Sequence, residues 1–420
     1  MPEFSLPYGS SEVRFNLPSN LKVYLIEPRE VKPLEDLESE LRNSIRNLSD
    51  IVKPGRRVAV VADDITRPTP TARVLPILLD HLNDLGIRDE LISLVVALGT
   101  HRPMTQPELE LKYGEAVERI EVIQPDFRDP EKQVRIGLMP SDAPIEVTRE
   151  LSKVDLSIGI GCVTPHHVSG FSGGSKIILP GVSGERTVGE MHLMSARLRR
   201  SFLGIERNEV RDLMDLVAEK AYLRGLIDLV VDGVGRPTWI GCGEFKDVFR
   251  EAVVESRKVY EVDAPKELDL VITTSYPADI DFWQAHKALY PADMVLREGG
   301  TLILATPCPE GVSKTHPDVI ELAGLSPEEI DRRIEAKIVK DLIGAANSMV
   351  WSKIRSRIRV VIVSDGLDEW EVRSMGFEWY GDLEEAINKE LARFHEKPRV
   401  GVMKNSPELL PRVNYAGGGI

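Results

Sequence analysis

The sequence predicts an α/β protein of two domains, each a largely parallel sheet flanked by helices, with the active site in the cleft between them. Three observations carry this expectation. The chain has 420 residues, more than one hydrophobic core serves, since single cores stop growing at roughly 250–300 residues. Its most apolar runs are short and rich in β-branched residues: RVAVVA at 57–62, LISLVVAL at 91–98 and LDLVIT at 268–273. Such runs are typical of strands buried on both faces of a parallel sheet. Segments with helical spacing lie between them, so strands and helices alternate as in βαβ units.

In chain order, KVYLI at 22–26 reads as a short strand in a leader, and 57–62 as the first buried strand. A proline-punctuated loop then feeds a helix over 72–85, with Val74, Leu75, Leu78, Leu79 and Leu82 at helical spacing and Gly86 past its end. The strand at 91–98 completes a βαβ unit, whose parallel strands open their loops at one edge. That places Asp64, Arg67 and His101 in one crevice. Residues 120–123 and 154–160 read as further strands, and the second runs into a loop carrying His166, which joins the same edge. Helices at 186–202, 209–224 and 245–260 and strands at 227–231 and 238–240 finish a first domain over residues 1–260. A second α/β domain follows over 261–394, with strands at 268–273, 301–305 and 360–363 and helices near 281–287, 327–354 and 383–394. A strand is expected at 399–403, and Gly417 to Gly419 read as a mobile tail.

Bulk composition narrows the function. Lys and Arg number 53 against 67 Asp and Glu, a net charge of −14. That sign repels nucleic acid and anionic membranes and leaves small anions as partners only where basic groups cluster locally. Cys162, Cys242 and Cys308 are odd in number and contain no CxxC pair, which fits neither a disulfide framework nor a zinc site and suggests a reducing compartment. No signal-like leader and no long apolar run is present, so a cytoplasmic location is expected.

The stretch from Gly159 to His192, GIGCVTPHHVSGFSGGSKIILPGVSGERTVGEMH, holds three of the eight histidines and Lys176 amid glycines and serines. Gly170 to Lys176 invites comparison with a nucleotide-binding GxxxxGK[ST] loop, but Ser175 stands where its second glycine belongs and Ile177 where its hydroxyl belongs. The amides of Ser172, Gly173, Gly174 and Ser175 nevertheless offer an anion-binding concavity. Taken singly, this loop reads as a tight turn, the His166–His167 pair as one ring that packs or caps a turn and one that faces water, and Gln284 and Lys287 as a solvated helix face. Taken together, separate segments bring His, Arg and Lys toward one edge.

The ordered motifs DDITRP at 63–68, GTHRP at 99–103, HHVSGFSGGSKIILPGVSG at 166–184, His192, and QAHK at 284–287 resemble those of the nickel-pincer lactate racemase family, the 2-hydroxy-acid racemases and epimerases. The resemblance covers nearly the whole chain. It implies a nickel-bearing pyridinium mononucleotide attached covalently to Lys176, with Ser172 to Ser175 around it and His192 as the protein's nickel ligand. It implies acid–base roles for His101 and His166, and substrate-binding roles for Arg67, Gln284 and Lys287. Cofactor-maturation enzymes would be partners, and residues 395–420 would return to the first domain.

Elementary chemistry is compatible with those roles. The α-hydrogen of a hydroxycarboxylate is too weakly acidic for any side-chain base, whereas its removal as hydride, with proton transfer from the hydroxyl, gives a planar 2-oxo acid that can be reduced on either face. Two bases are then needed, and histidine exchanges protons near neutrality. Imidazole suits the remaining position on a planar nickel, and Arg67 offers a fork matched to a carboxylate. Lactate is the default substrate. Trp283 stands where a tyrosine is expected in lactate-specific members and bears on that choice. A non-catalytic binder or sensor of a phosphorylated small molecule or metal is the alternative, and a metal-dependent hydrolase is disfavoured by the lack of clustered carboxylates.

Overall fold

The structure, a computed structural model, describes residues 2–413. The glycine tail expected at 417–419 lies outside the described residues. The chain forms two compact units, one of residues 30–194 and 204–259, the other of 2–29, 195–203 and 260–413. The strands that matter here are β1 Lys22–Ile26, β2 Val58–Asp63, β3 Ile92–Ala97, β4 Glu121–Ile123, β5 Leu156–Cys162, β6 Leu223–Val231, β7 Pro237–Glu244, β8 Leu268–Thr274, β9 Leu296–Thr306, β10 Arg359–Ser364, β11 Glu378–Tyr380 and β12 Arg399–Met403.

The unit centred on residues 30–194 carries a six-stranded sheet in the order β7-β6-β5-β2-β3-β4. All neighbours are parallel except β6 and β7. Every residue of β2 and β5 is buried, as expected for strands covered on both faces. Helix α1, Thr71–Asp84, covers one face with Val74, Leu75, Leu78, Leu79 and Leu82, the residues whose spacing predicted it. All five are fully buried, each worth roughly 1.5–3 kcal/mol relative to exposure. From β2 the chain builds outward to β3 and β4, then returns to lay β5 on the other side of β2. The strand order therefore reverses between β2 and β5, the place where open α/β sheets bind ligands beyond their carboxyl ends.

The other unit carries a fully parallel sheet in the order β11-β10-β9-β8-β12-β1. Its order reverses between β8 and β12, so the segment after β8, which includes Gln284 and Lys287, leaves from the corresponding place. Here the structure differs from the reading in which residues 1–260 form one domain that 395–420 rejoin. β1 pairs with β12 from Lys22–Arg399 to Ile26–Met403, and β12 pairs in turn with β8. Strand pairing is non-local, and a five-residue strand carries no signal of which sheet it completes. The sequence boundary near residue 260 does coincide with a junction between the units. Two hairpins were not anticipated, Glu3–Tyr8 with Ser11–Asn16 and Gln133–Leu138 with Pro144–Thr148. Among the described residues, no helix is long and apolar enough to cross a membrane.

Candidate active site

β2 ends in Asp63 and continues into DITRPT, a turn whose side chains satisfy its own backbone. Asp64 accepts from Thr66 N at 3.1 Å and Thr66 Oγ1 at 2.6 Å through Oδ1, while its Oδ2 lies 2.6 Å from His101 Nδ1. Asp64 is buried, whereas a fifth of the His101 side chain remains accessible. Burial alone would raise the Asp64 carboxyl, but His101, Arg67 and Thr66 together hold it well below the usual carboxylate range. The Asp64 carboxylate at Nδ1 fixes the orientation of the ring. His101 itself is presented by the loop after β3, where Gly99, at φ +59, donates its N–H to Gly181 O at 2.8 Å. That bond ties the loop to the segment following Lys176.

Arg67 donates through Nη1 to Thr66 O and Oγ1. It lies near enough to Lys176 and Asp64 to influence both electrostatically. The turn is clamped from below by Lys112 on helix α2, Gln106–Tyr113. Its ammonium pairs with Asp63 Oδ1 at 2.9 Å and donates to the Arg67 and Thr69 carbonyls at 2.8 and 3.0 Å. Sequence reasoning passed over Lys112, although a lysine spaced three from Leu109 on the buried side of this helix was a usable signal.

The loop after β5 folds into a minimal hairpin, Pro165–His166 with Gly170–Phe171, and then a 3-10 turn, Gly174–Ile177. His166 Nδ1 accepts from Val168 N at 3.2 Å, and its ring stacks on His167 with centroids 4.7 Å apart. His166 is half-buried and His167 buried. The expected anion concavity takes a different form. Gly174 N donates to Asp228 Oδ2 at 2.8 Å and Ser172 N to Thr164 O at 2.8 Å, so these amides hold the loop. A Cβ at Gly173 would lie 2.4 Å from Val163 Cγ2, and one at Gly174 2.7 Å from Phe249 Cδ2. The glycines thus serve close packing at positive φ.

Two residues that the sequence reading missed hold this loop from behind. Arg211, on helix α4 Glu209–Lys220 (α3 being Glu185–Ala196), donates to the carbonyls of Gly173 at 3.1 Å and of Phe171, and stacks 4.1 Å over the Phe249 ring. Asp228 on β6 pairs across the sheet with Gly161 and Gly241; a Cβ at Gly161 would lie 3.1 Å from its Oδ1 and one at Gly173 2.8 Å from its Oδ2, so these two glycines leave room for its carboxylate. Burial pushes Asp228 up to about 7 despite the Gly174 bond and the Arg211 charge. Lys176 shows the converse. Burial, reinforced by the like charges of Arg67 and Arg211, lowers its amine from 10.5 to about 7.

His192 lies half-buried on α3. In the other unit, Gln284 and Lys287 stand on a short helix, Phe282–Ala285, and the 3-10 turn that follows. Gln284 N is capped by Asp281 Oδ1 at 2.8 Å, and Lys287 Nζ donates to Gln284 Oε1, so the two side chains are joined. Trp283 packs within its own unit, stacked 4.1 Å from His316, whose Nδ1 lies 2.6 Å from Asp341.

Comparison with known proteins agrees with this architecture. Residues 8–204 match the lactate racemase N-terminal domain and residues 263–407 the lactate racemase C-terminal domain. The chain is 28% identical over 387 residues to a lactate racemase of Lactiplantibacillus plantarum, covering 88% of each, and 27% identical over 325 residues to that of Thermoanaerobacterium thermosaccharolyticum, covering 74% of this chain and 76% of the relative. The lactate racemase apoprotein from the latter organism superposes with a TM-score of 0.85 at 24% identity, over 98% of this chain and all of that one. A Thermotoga maritima protein superposes at 0.73 and 21%, over 92% of this chain and all of that one. With both domains present in order, the chain belongs to the lactate racemase family.

Proposed function

We propose that this protein racemises or epimerises a small 2-hydroxy acid, with lactate the default substrate, using a nickel-pincer nucleotide carried covalently on Lys176. The supporting observation is the amine of Lys176. At about 7 it is substantially unprotonated near neutrality, as an amine must be to act as a nucleophile in amide-type bond formation. The donor set also suits such a group. His192, half-buried on α3, would supply the imidazole that holds the nickel. When bound, the cofactor supplies an acceptor and donor for the substrate's α-hydrogen.

The chain's own residues would do the rest. Arg67 forms a bidentate pair with the substrate carboxylate, and the coupled Gln284 and Lys287 fix its orientation. His101, oriented by Asp64, takes the hydroxyl proton at Nε2 for one enantiomer, and His166 does so for the other. Ser172 to Ser175 shape the segment that presents Lys176.

Intact-mass and peptide analysis of protein matured with its cofactor-building enzymes should show an adduct on Lys176 together with bound nickel. An active protein lacking both would overturn the reading. Incubating that material with enantiopure 2-hydroxy acids, followed by chiral chromatography, identifies the substrate. His192→Ala should lose nickel while keeping its fold; normal nickel binding in that variant would reject the ligand assignment.

A further inference from the structure

The unit built on β8 to β12 contains a cavity of about 540 Å³ at the amino ends of β9 and β10, where Thr301 pairs with Arg359. The strands are parallel, so this edge is opposite the one from which Gln284 and Lys287 emerge. Five arginines line it, Arg297, Arg355, Arg357, Arg359 and Arg393, with Glu378 as the one acidic lining residue. In a chain of net charge −14 that concentration needs a physical account.

Carboxylates neutralise four of the five. Arg297 pairs with Asp269 at 2.7 Å, Arg357 with Asp293 at 2.6 Å, Arg359 with Glu378 at 2.8 Å, and Arg393 with Glu390 at 3.4 Å. Glu390 is shared, since it also lies 3.1 Å from Arg359. Arg355 differs. Its guanidinium is held entirely by neutral acceptors, the carbonyls of Ala323, Met375 and Leu325 and the hydroxyl of Ser352. Half-buried among them, it has its proton affinity lowered by burial. Gly376 packs closely over it: a Cβ there would lie 2.9 Å from Arg355 Cδ, Nε and Cζ. A fixed, incompletely compensated cation is costly unless an anion completes it. Arg297 and Arg393 stand on the accessible side, 42% and 57% exposed, and each retains amino groups beyond those used by its carboxylate.

We propose that this cavity is a binding site for a phosphorylated small molecule of about nucleoside-diphosphate size, with Arg355 at its base and Arg297 and Arg393 at its rim. The volume falls within the ~300–1,000 Å³ usual for small-ligand pockets. Arg355 contributes positive charge at the base, its amino groups being used by the three carbonyls and Ser352, whereas the remaining amino groups of Arg297 and Arg393 can donate to the oxygens of a pyrophosphate group. None of these arginines belongs to the proposed racemase machinery, so this site and that activity stand or fall separately.

The test is calorimetric titration of the full-length, cofactor-free chain with inorganic pyrophosphate, ADP and citrate at about 0.1 M salt. Saturable one-to-one binding of pyrophosphate and ADP is expected, with citrate at least about tenfold weaker. Arg297→Gln and Arg393→Gln should each weaken ADP binding by roughly tenfold, the loss of one charge-assisted bond, while melting at the wild-type temperature. Arg355→Gln should weaken binding through loss of its charge; because that residue also ties three carbonyls together, the two rim variants carry the decision. Absence of saturable binding up to about 10 mM, unchanged affinity in both rim variants, or citrate binding as tight as ADP would each overturn the proposal.

Discussion

The lowered Lys176 amine gives the sharpest quantitative prediction. Replacing it as Lys176→Met in cofactor-free protein keeps most of the side chain's volume and removes the titration. A fall from 10.5 to about 7 corresponds, at about 1.4 kcal/mol per tenfold in the proton equilibrium, to roughly 5 kcal/mol. Lys176 retains some accessible surface, so solvent screening brings the expected effect down to about 2–3 kcal/mol. The sign follows from proton counts. Between pH 7 and 10.5 the unfolded chain holds the lysine proton and the folded chain has released it, so the wild-type protein gains stability as pH rises through that window. The variant lacks this gain. Urea unfolding at pH 6.5, 8.5 and 10 should therefore show Lys176→Met more stable than wild type at the lowest pH, with the difference shrinking toward the highest. Competitive acylation of the wild-type protein followed by peptide mapping should place the reactivity midpoint of Lys176 near 7. Parallel stability profiles together with a midpoint near 10.5 would refute the argument, and with it the chemical reason for choosing this lysine as an attachment point.

Three further outcomes follow from the groups around it. Asp64→Asn should reduce turnover by about 10²–10⁴-fold with a smaller change in KM, because the His101 ring loses its orienting carboxylate. Since the folded Asp64 carboxyl is depressed, its contribution to stability is present above the unfolded value near 4 and lost as pH falls below it, so acid unfolding of the variant should be less steep. Arg211→Lys should destabilise the fold by about 2–4 kcal/mol in urea titrations, since one ammonium cannot reproduce a guanidinium that binds several carbonyls and a ring face; an unchanged midpoint would show that the loop holds without it. Asp228→Asn should flatten the pH dependence of stability between about 4 and 7. There the raised Asp228 keeps its proton in the folded state, so wild-type stability declines with rising pH. That window lies below the one belonging to Lys176, so the same titration separates the two.

Much of this was legible because it is local. The β-branched runs marked β2, β3, β5 and β8, and the spacing of Val74, Leu75, Leu78, Leu79 and Leu82 marked the helix between two of them. The carboxyl-edge rule then gathered Asp64, Arg67 and His101 without coordinates, and the 2.6 Å contact between Asp64 and His101 agrees with it. The missing parts depend on tertiary placement. β1 completes a sheet whose other strands begin nearly 250 residues later, and its five residues carry no address. Lys112, Arg211 and Asp228 look in sequence like an ordinary helix lysine, a helix arginine and an interrupted strand. Each is nevertheless a charge at a position where periodicity calls for an apolar side chain, and that mismatch was available as a signal.

The charges at those mismatched positions also account for the glycines. Keeping one lysine amine neutral takes burial around the amine, like charge beside it and rigidity behind it. Gly173 and Gly174 supply the rigidity by letting the backbone close against Val163 and Phe249, and Asp228 and Arg211 lock the resulting turn through its amides and carbonyls. Arg211 then has a second effect, because its positive charge, with that of Arg67, disfavours protonation of Lys176. The same guanidinium thus fixes the loop's geometry and helps set the lysine's charge state. A serine or alanine at Gly174 would strike the Phe249 ring before it met any ligand, so Gly174→Ala should lower stability by about 1–3 kcal/mol and raise the Lys176 acylation midpoint by loosening its burial. A destabilised Gly174→Ala whose lysine still titrates near 7 would separate the two effects and show that the arginines, without the tight turn, suffice to keep the amine neutral.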